Sequence, residues 1–354
     1  MKDERFIQRC FDLASLGAGS VAPNPLVGAV LVHNGKIIGE GWHQRWGEAH
    51  AEVNCIHTVL PENKALLPYA TLYCNLEPCS HFGKTPPCAD LIIAQKIPRV
   101  VVSNVDPNVL VAGRGLEKLK NAGIAVTQGL LEEEGRWLNR TFFTWITEQR
   151  PLVVLKWAQS ADGFLGKKEA QTAISNAPAL RLVHRWRAEC DAILVGAHTA
   201  LIDNPRLDVR HYFGKKPLRI AFDTQENIPA SHHLLDDSTE TWIFGSPLMP
   251  VKDRPNRAYS YKRTKFIQTV GKILITNILE ALKKDNRASL FVEGGANVLG
   301  QFLETGFWDE IRVVENSCRL GSGIIAPNIP TSAVLKEQWI LGDDTVRIFA
   351  RSTP

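Results

Sequence analysis

The segment from Gly47 to Cys88 places the strongest constraint on how this chain can fold. It contains the sequence H-A-E, which begins at His50, and the sequence E-P-C, which ends at Cys79. One imidazole and two thiolates are a donor set that zinc accepts, and three protein ligands leave a fourth tetrahedral position for water. Residues that are far apart in the sequence must therefore meet at one point, and the fold has to be built around it.

Glu52 follows the histidine by two residues and is predicted to carry protons. In zinc deaminases a histidine and two cysteines hold the metal, while the glutamate of an H-x-E element serves as general acid and base. Zinc lowers the pKa of bound water to near neutrality, so a carboxylate beside that water can accept its proton. The sequence thus predicts His50, Cys79 and Cys88 as zinc ligands and Glu52 as the catalytic residue.

The spacing of the two cysteines departs from the general deaminase signature. Eight residues separate Cys79 from Cys88, where the signature has two. Gly83 and the pair Pro86-Pro87 can fold the insert back, and Cys88 then opens an apolar helix that directs its sulfur and its helix N-terminus to one point. The simplest alternative is two ordinary buried cysteines and a surface histidine. The order of the two motifs, each before a helical pattern, favours the metal site.

Length and composition limit the class of protein. The chain has 354 residues, which predicts two domains. No apolar run is long enough to cross a membrane, and the charged start MKDERFIQRC lacks the apolar core of a secretory signal. Seven cysteines without framework spacing favour a reduced, cytoplasmic chain.

The charge balance argues against a nucleic-acid substrate. Residues 1–150 carry 15 Lys and Arg against 15 Asp and Glu, so the predicted zinc domain is neutral. Nucleic-acid affinity comes largely from neutralising phosphates, which a neutral domain does poorly. We therefore expect a small substrate rather than a base within a polynucleotide.

Hydrophobic periodicity predicts alternating strands and helices in the first half. A hairpin is expected at Asn34-Gly35, because Asn-Gly favours a two-residue turn. The alternation predicts a mostly parallel sheet with helices on both faces. The predicted helices cover residues 3–16, 48–60, 88–96, 113–122 and 131–147, and the predicted strands cover residues 27–33, 36–42, 70–76, 99–104 and 125–129.

The pattern restarts after the seam Gln149-Arg150-Pro151. Strands are predicted in PLVVLKWAQSADG, DAILVGA, LRIAFD, TWIFG and SLFVEGG, with helices at 176–188, in ILEALKKD and in ANVLGQFLETG. An exposed loop is expected from Pro247 to Arg263. The glycine pair Gly294-Gly295 lies between a strand and a helix, where a phosphate can approach backbone amides.

With H-A-E, PNPLVG, EPCSHFGKTPPC, D-P-N and VAGRG in place, the chain resembles the bifunctional riboflavin-biosynthesis deaminase/reductase family over essentially its full length. The resemblance implies an α/β protein, with a cytidine-deaminase-like three-layer domain at 1–148 and a dihydrofolate-reductase-like α/β domain at 149–354. It implies zinc-dependent deamination of 2,5-diamino-6-(5-phosphoribosylamino)pyrimidin-4(3H)-one, followed by NADPH-dependent reduction of the ribosyl group of 5-amino-6-(5-phosphoribosylamino)uracil. It also implies a homodimer built through the reductase half.

The resemblance further implies roles for individual residues. Asn24 and Lys84 match positions near the pyrimidine or its phosphate. Two larger sets are assigned to the reductase half. The substrate would be bound by Arg187, Leu207, Arg210 and Glu293, and NADPH by Ala158, Thr199, Asp203, Thr224, Gly295, Ala296 and Asn297.

One departure from the family pattern bears on the reductase. Where many relatives have Ser-x-Trp-Ile-Thr, this chain has Gln171 to Ser175, with Ala173 in place of the tryptophan expected beside the nicotinamide. An alternative is therefore an active deaminase joined to a phosphosugar-binding domain that does not reduce. Two others are a nucleoside or nucleic-acid deaminase, and a structural zinc module closed by His43, Cys74 or His81.

Overall fold

The computed structural model describes residues 3–82, 86–109, 111–169, 171–223, 227–245, 262–268 and 275–352. Two compact units divide the chain, Met1–Arg150 and Pro151–Pro354. None of the helices in the described residues combines the length and the apolar character that crossing a lipid bilayer requires.

The first unit is built on one five-stranded sheet. Its strands are β1 (Gly28–His33), β2 (Lys36–Trp42), β3 (Thr71–Leu76), β4 (Arg99–Asn104) and β5 (Ala125–Thr127). The order is β2-β1-β3-β4-β5, with β1 antiparallel to both neighbours and β3, β4 and β5 parallel to one another. Four strands therefore point the same way. The predicted mostly parallel sheet is right except at β1.

The hairpin that reverses β1 has the predicted turn. Asn34 and Gly35 both have positive φ, 49° and 75°. This conformation matches the twist of a two-residue hairpin, and asparagine and glycine adopt it at low cost.

Helices cover both faces of this sheet, as the sequence predicts. They are α1 (Glu4–Ser15), α2 (Ala51–His57), α3 (Cys88–Ala94), α4 (Arg114–Asn121), α5 (Glu132–Leu138) and α6 (Arg140–Thr147). Strand residues alternate between the faces. Leu31 belongs to the core that contains side chains of α2, α3 and α4, whereas Val30 and Val32 belong to the core that contains α1. The unit thus has three layers.

Two predicted helices differ from the structure. The helix predicted at 48–60 is confined to α2, because His50 has extended backbone (φ −74°, ψ 165°) and Leu60 precedes a proline, which disfavours helical geometry. The helix predicted at 131–147 is two helices, broken at Asn139 (φ −97°, ψ 18°). At this break the Asn139 side chain makes two hydrogen bonds with the backbone of Leu26.

The second unit contains a nine-stranded sheet. Its strands are β6 (Leu152–Ser160), β8 (Ala192–Val195), β9 (Leu218–Phe222), β10 (Thr241–Gly245), β11 (Thr264–Gln268), β12 (Ser289–Val292), β13 (Glu310–Asn316), β15 (Ala333–Leu341) and β16 (Asp344–Arg351), while β7 (Phe164–Gly166) and β14 (Ile324–Ile325) form a separate pair. The order is β11-β10-β9-β8-β12-β6-β13-β16-β15. The first seven strands in this order are parallel, and β16 and β15 are added antiparallel.

Four helices are described in this unit. They are α7 (Ala177–Glu189), α8 (Ala197–Asp203), α9 (Ile275–Lys284) and α10 (Ala296–Thr305). Asn176 caps α7, because its side chain accepts the backbone N–H of Ala179. The sequence patterns miss α8, the short strands β7 and β11, and the strands after Thr305. Most of the loop predicted from Pro247 to Arg263 lies outside the described residues.

Candidate active site

Three elements of the first unit bring the predicted zinc ligands together. His50 lies just before α2, Cys79 follows β3, and Cys88 is the first residue of α3. The Nδ1 atom of His50 lies 3.5 Å from Sγ of Cys79 and 3.4 Å from Sγ of Cys88. One donor atom from each residue falls within 4.8 Å of the other two. The eight-residue insert therefore does not prevent the two sulfurs from meeting.

The electrostatics of this cluster favour a bound cation. The Cys88 thiol and the His50 ring interact with the Cys79 sulfur and lower the pKa of Cys79 to about 4 against the effect of burial. The backbone N–H of Cys88 also donates to that sulfur, at 3.3 Å. The neighbouring Cys79 sulfur and burial raise the pKa of Cys88. Two sulfurs and an imidazole thus compete for protons at one point, and Zn²⁺ can replace those protons. The donor set fits zinc.

Glu52 lies in the first turn of α2, beside this cluster. Its side chain is buried, with 3% of the residue exposed. Burial and the nearby Cys79 raise the pKa of Glu52 to about 6. A carboxyl group with a pKa near the working pH can both accept and return a proton.

A closed structural zinc site would need a fourth protein ligand. Among the described residues, the group able to hold a metal consists of His50, Cys79 and Cys88. His43 is engaged elsewhere: its Nε2 lies 3.2 Å from the Asn24 amide nitrogen, and its Nδ1 lies 3.1 Å from a backbone oxygen. The described part of the chain therefore leaves the ligand set at three, as in a catalytic site.

A cavity of about 310 Å³ is lined by His50 and Cys79 of the cluster and by Glu52. Asn24 lines it, as the resemblance implies. Several lining residues had not been assigned to the substrate site from the sequence: His43, Trp46, His81, Asp106, Asn108 and Phe142. Phe142 lies on α6 and is buried. Lys84, the other predicted substrate contact, lies outside the described residues, as does Thr224 of the second unit.

The predicted substrate residues of the second unit form a connected group. Arg187 and Glu293 make a two-pronged ion pair, with both N–O distances 2.7 Å, and Arg187 also donates to the backbone oxygen of Asp208. Arg210 pairs with the Asp208 carboxylate at 2.5 Å. Leu207, the neighbour of Asp208, is buried and has a positive φ of 48°. Such backbone strain in a residue other than glycine is typical of functional sites.

Lys156 and His184 extend this group and were missed from the sequence. Burial lowers the pKa of Lys156, which lies close enough to Glu293 and Arg187 to interact electrostatically with both. Burial and nearby Arg187 lower the pKa of His184 to about 4. The Nδ1 atom of His184 has no hydrogen-bond partner within the described part of the chain. A lysine inside a strand pattern gives no sign that it will be half-buried near a carboxylate.

Several residues assigned to the cofactor follow the carboxyl ends of β8 and β12, which are adjacent and parallel. Each strand is followed by glycine and a helix, α8 with Thr199 and Asp203, and α10 with Ala296 and Asn297. A Cβ atom on Gly295 would lie 3.2 Å from the hydroxyl of Thr199. This contact places the starts of α8 and α10 side by side, and the backbone amides of a helix start are a typical place for a phosphate group.

Two further positions belong to this region in the sequence-based assignment. Ala158 lies on β6, whose neighbours are β12 and β13. Ala173 is exposed in the segment that leads to α7. A methyl group there cannot supply the flat surface of the tryptophan that the family pattern has.

Comparisons with known proteins identify a protein family for each half of the chain. Residues 1–104 match the family model described as the cytidine and deoxycytidylate deaminase zinc-binding region, and residues 151–341 match the RibD C-terminal domain. The chain is 38% identical over 362 residues to riboflavin biosynthesis protein RibD of Aquifex aeolicus, covering 99% of this chain and 98% of that protein. It is 36% identical to RibD of Escherichia coli, covering 91% and 89%.

A solved structure is similar over the same extent. It is the diaminohydroxyphosphoribosylaminopyrimidine deaminase/5-amino-6-(5-phosphoribosylamino)uracil reductase of Thermotoga maritima, with a TM-score of 0.87, 32% identity and 99% coverage of both chains. Because both family models match and these relatives span nearly the whole sequence, the chain belongs to the bifunctional riboflavin-biosynthesis deaminase/reductase family, with a cytidine-deaminase-like N-terminal domain and a RibD-type C-terminal reductase domain.

Proposed function

We propose that residues 1–148 deaminate 2,5-diamino-6-(5-phosphoribosylamino)pyrimidin-4(3H)-one, with His50, Cys79 and Cys88 as zinc ligands and Glu52 as the catalytic residue. The observation that carries this proposal is the convergence of three donor atoms within 4.8 Å beside a buried carboxyl group. Bound zinc supplies a water molecule that loses a proton near neutral pH. The name of the Thermotoga maritima relative supports the choice of substrate.

In this reaction Glu52 moves protons between water and the substrate. Its carboxylate accepts a proton from the attacking water and returns it to the ring nitrogen. The Glu52 carboxylate then transfers a second proton, from the newly added hydroxyl group, to the amino group, which leaves as ammonia. The Glu52 pKa of about 6 suits both halves of this transfer. Asn24 lines the cavity and orients the pyrimidine, and Lys84 is assigned to the substrate phosphate.

We propose that residues 149–354 reduce the ribosyl group of 5-amino-6-(5-phosphoribosylamino)uracil. The cofactors of the two reactions are Zn²⁺ and NADPH. NADPH supplies the hydride, and the protein supplies orientation and a proton. Lys156, whose pKa is lowered by burial, is the proton donor in this proposal, and the paired Arg187 and Glu293 fix its surroundings. Arg210 is half exposed and is assigned to the substrate phosphate.

The remaining substrate and cofactor assignments also fall in the second unit. Leu207 is assigned to the substrate, next to Asp208. The cofactor is assigned to Ala158, Thr199, Asp203, Gly295, Ala296 and Asn297, with Thr224 assigned by resemblance.

We also propose a homodimer that forms through the reductase half. The edge strand β15 exposes Val334, Leu335 and Ile340, by 47%, 49% and 77%. An exposed apolar edge strand is prone to pair with another chain. Sedimentation of the protein and of the variant Ile340→Lys tests this: a dimer that the charge dissociates supports the edge, and a monomeric parent protein contradicts it.

A cytoplasmic location completes the proposal. All seven cysteines are free thiols, and a reducing compartment keeps Cys79 and Cys88 available for zinc. Fractionation with a reporter fused to the chain tests the location, and recovery outside the cytoplasm contradicts it.

The decisive experiment measures three quantities on one preparation: zinc content, ammonia release from the diaminopyrimidine phosphate, and NADPH oxidation with the deaminated product. We expect one zinc per chain and both activities. Ammonia release without NADPH oxidation would leave the deaminase intact and reject the reductase, in agreement with a non-reducing domain caused by Ala173. Zinc-loaded protein that releases no ammonia would reject the deaminase.

A further inference from the structure

We propose that Asn139 and Asn75 are positioning residues for the deamination. They hold the backbone of Leu26 and, through it, the side chain of Asn24 at the cavity. This inference rests on the proposed deaminase function and on the role of Asn24 in binding the pyrimidine.

Two side-chain amides take the place of a neighbouring strand at Leu26. Asn139 Oδ1 accepts the Leu26 N–H at 2.8 Å, and Asn139 Nδ2 donates to the Leu26 carbonyl at 2.9 Å. Asn75 Nδ2 donates to the same carbonyl at 2.8 Å, and Asn75 Oδ1 accepts the N–H of Gly28 at 2.7 Å. Leu26 precedes β1, so both of its peptide groups depend on these side chains.

The side chains of Asn75 and Asn139 form a clamp on the Leu26 backbone, and burial holds this clamp in place. Asn75 is fully buried, and 2% of Asn139 is exposed. If either side-chain amide moved away, buried donors and acceptors would be left unpaired. Water cannot reach them to replace the lost hydrogen bonds, so the movement is unfavourable. Asn75 lies on β3, the strand that leads to Cys79, and Asn139 lies at the break between α5 and α6. The clamp therefore ties the Leu26 segment to the strand that leads to Cys79, a proposed zinc ligand.

The clamp reaches Asn24 through one residue. Pro25 stands between Asn24 and Leu26, and proline fixes its own φ, so a shift of Leu26 moves Asn24. On its other side the Asn24 amide nitrogen lies 3.2 Å from Nε2 of His43. The ring of His43 is held in turn by the Ala49 backbone oxygen at its Nδ1. Asn24 is thus placed in the cavity from two directions.

The experiment combines Asn139→Ala, Asn24→Ala and the double variant in a cycle of deamination kinetics. We expect Asn139→Ala to raise KM by about 10-fold or more, since a misplacement of about 1 Å can cost roughly 10²-fold, with a smaller change in kcat and unchanged zinc content. Because Asn139 acts through Asn24, the double variant should have the KM of Asn24→Ala alone. Such non-additivity is the sign of a shared function.

The controls separate this role from a structural one and from the proposed function. Asn121→Ala, at the exposed end of α4, should leave KM unchanged. Asn139→Asp keeps the shape of the side chain and is used if the alanine variant does not fold. It should show the same KM defect, because a carboxylate oxygen cannot donate to the Leu26 carbonyl as Nδ2 of Asn139 does. An unchanged KM, or defects that multiply in the double variant, would overturn the inference. Parent protein that releases no ammonia would instead refute the proposed function.

Discussion

Glu52 is the residue on which the proposed deamination depends most directly. Its carboxyl group is buried beside the zinc ligands and does not need to bind the metal itself. We predict that Glu52→Gln retains zinc and loses about 10²–10⁴-fold in kcat, the range expected when a general acid–base group is removed. Ammonia release and elemental analysis on the same sample measure both effects.

The matched control for this change is Glu62→Gln, an exposed glutamate of the same unit, which should keep full activity. Turnover retained in Glu52→Gln would remove Glu52 from its assigned role. Loss of zinc would instead make it a ligand.

The Arg187–Glu293 ion pair makes stability depend on acid. Burial opposes ionisation of Glu293, but the charge of Arg187, its hydrogen bonds and the charge of Lys156 lower the pKa of Glu293 to about 2 from 4.5. A carboxyl group whose pKa is lower in the folded state stabilises the fold above its unfolded pKa, and the contribution is lost as the pH falls through the folded value. We therefore predict that this stabilisation disappears between pH 4.5 and pH 2.

Urea unfolding of the parent protein and of Glu293→Gln at several pH values tests this prediction. The variant should be less stable at pH 7, because Arg187 is left buried without its carboxylate. The difference between the two proteins should shrink as the pH approaches 2. A difference that stays constant over this range would contradict the assignment to Glu293.

At the scale of elements, Glu77 connects the segment between β3 and Cys79 to α4. The Glu77 carboxylate is buried and accepts the backbone N–H groups of Asp106, Gly113, Gly115 and Leu116 at 2.8–3.3 Å. It therefore satisfies the start of α4 and the loop before it, whose residues line the cavity. One side chain performs the capping that the helix lacks from its own N-cap residue, a glycine.

We predict that Glu77→Gln lowers the free energy of unfolding by about 2–3 kcal/mol. The amide keeps one acceptor but turns an NH₂ group toward backbone donors, and hydrogen bonds to charged groups contribute about 1.5–3 kcal/mol each. Chemical denaturation measures the change, with Glu117→Gln on the exposed face of α4 as control. Equal stability of the two variants would show that Glu77 does not hold this loop.

At the scale of the whole molecule, the two reactions use separate sets of residues. The zinc ligands and Glu52 belong to the unit Met1–Arg150, and the residues assigned to reduction belong to Pro151–Pro354. We predict that a zinc chelator abolishes ammonia release but leaves NADPH oxidation with the deaminated uracil compound unchanged. Both activities are followed in parallel, and added zinc should restore the first. If removal of zinc abolished both activities, this separation would be contradicted.

The sequence by itself determined the family, the grouping of the three proposed zinc ligands and most strands. Ligand types and their order are local information: H-A-E, E-P-C and a helix that starts at Cys88 leave few ways to arrange His50, Cys79 and Cys88. The apolar residues within Thr71–Leu76 and Arg99–Asn104 are equally local information, since a short apolar run is typical of a strand buried on both faces. The predicted family is confirmed by relatives that span nearly the whole chain.

Only the tertiary structure decided how polar side chains far apart in the sequence are used. Asn139 was predicted inside one long helix, because helical periodicity does not register a break made for a hydrogen bond to Leu26. Glu77, Lys156 and His184 gave no signal either, since burial and pKa depend on neighbours from other elements. Periodicity is a property of neighbouring residues in the chain, whereas a buried hydrogen bond needs a partner that only the folded chain supplies.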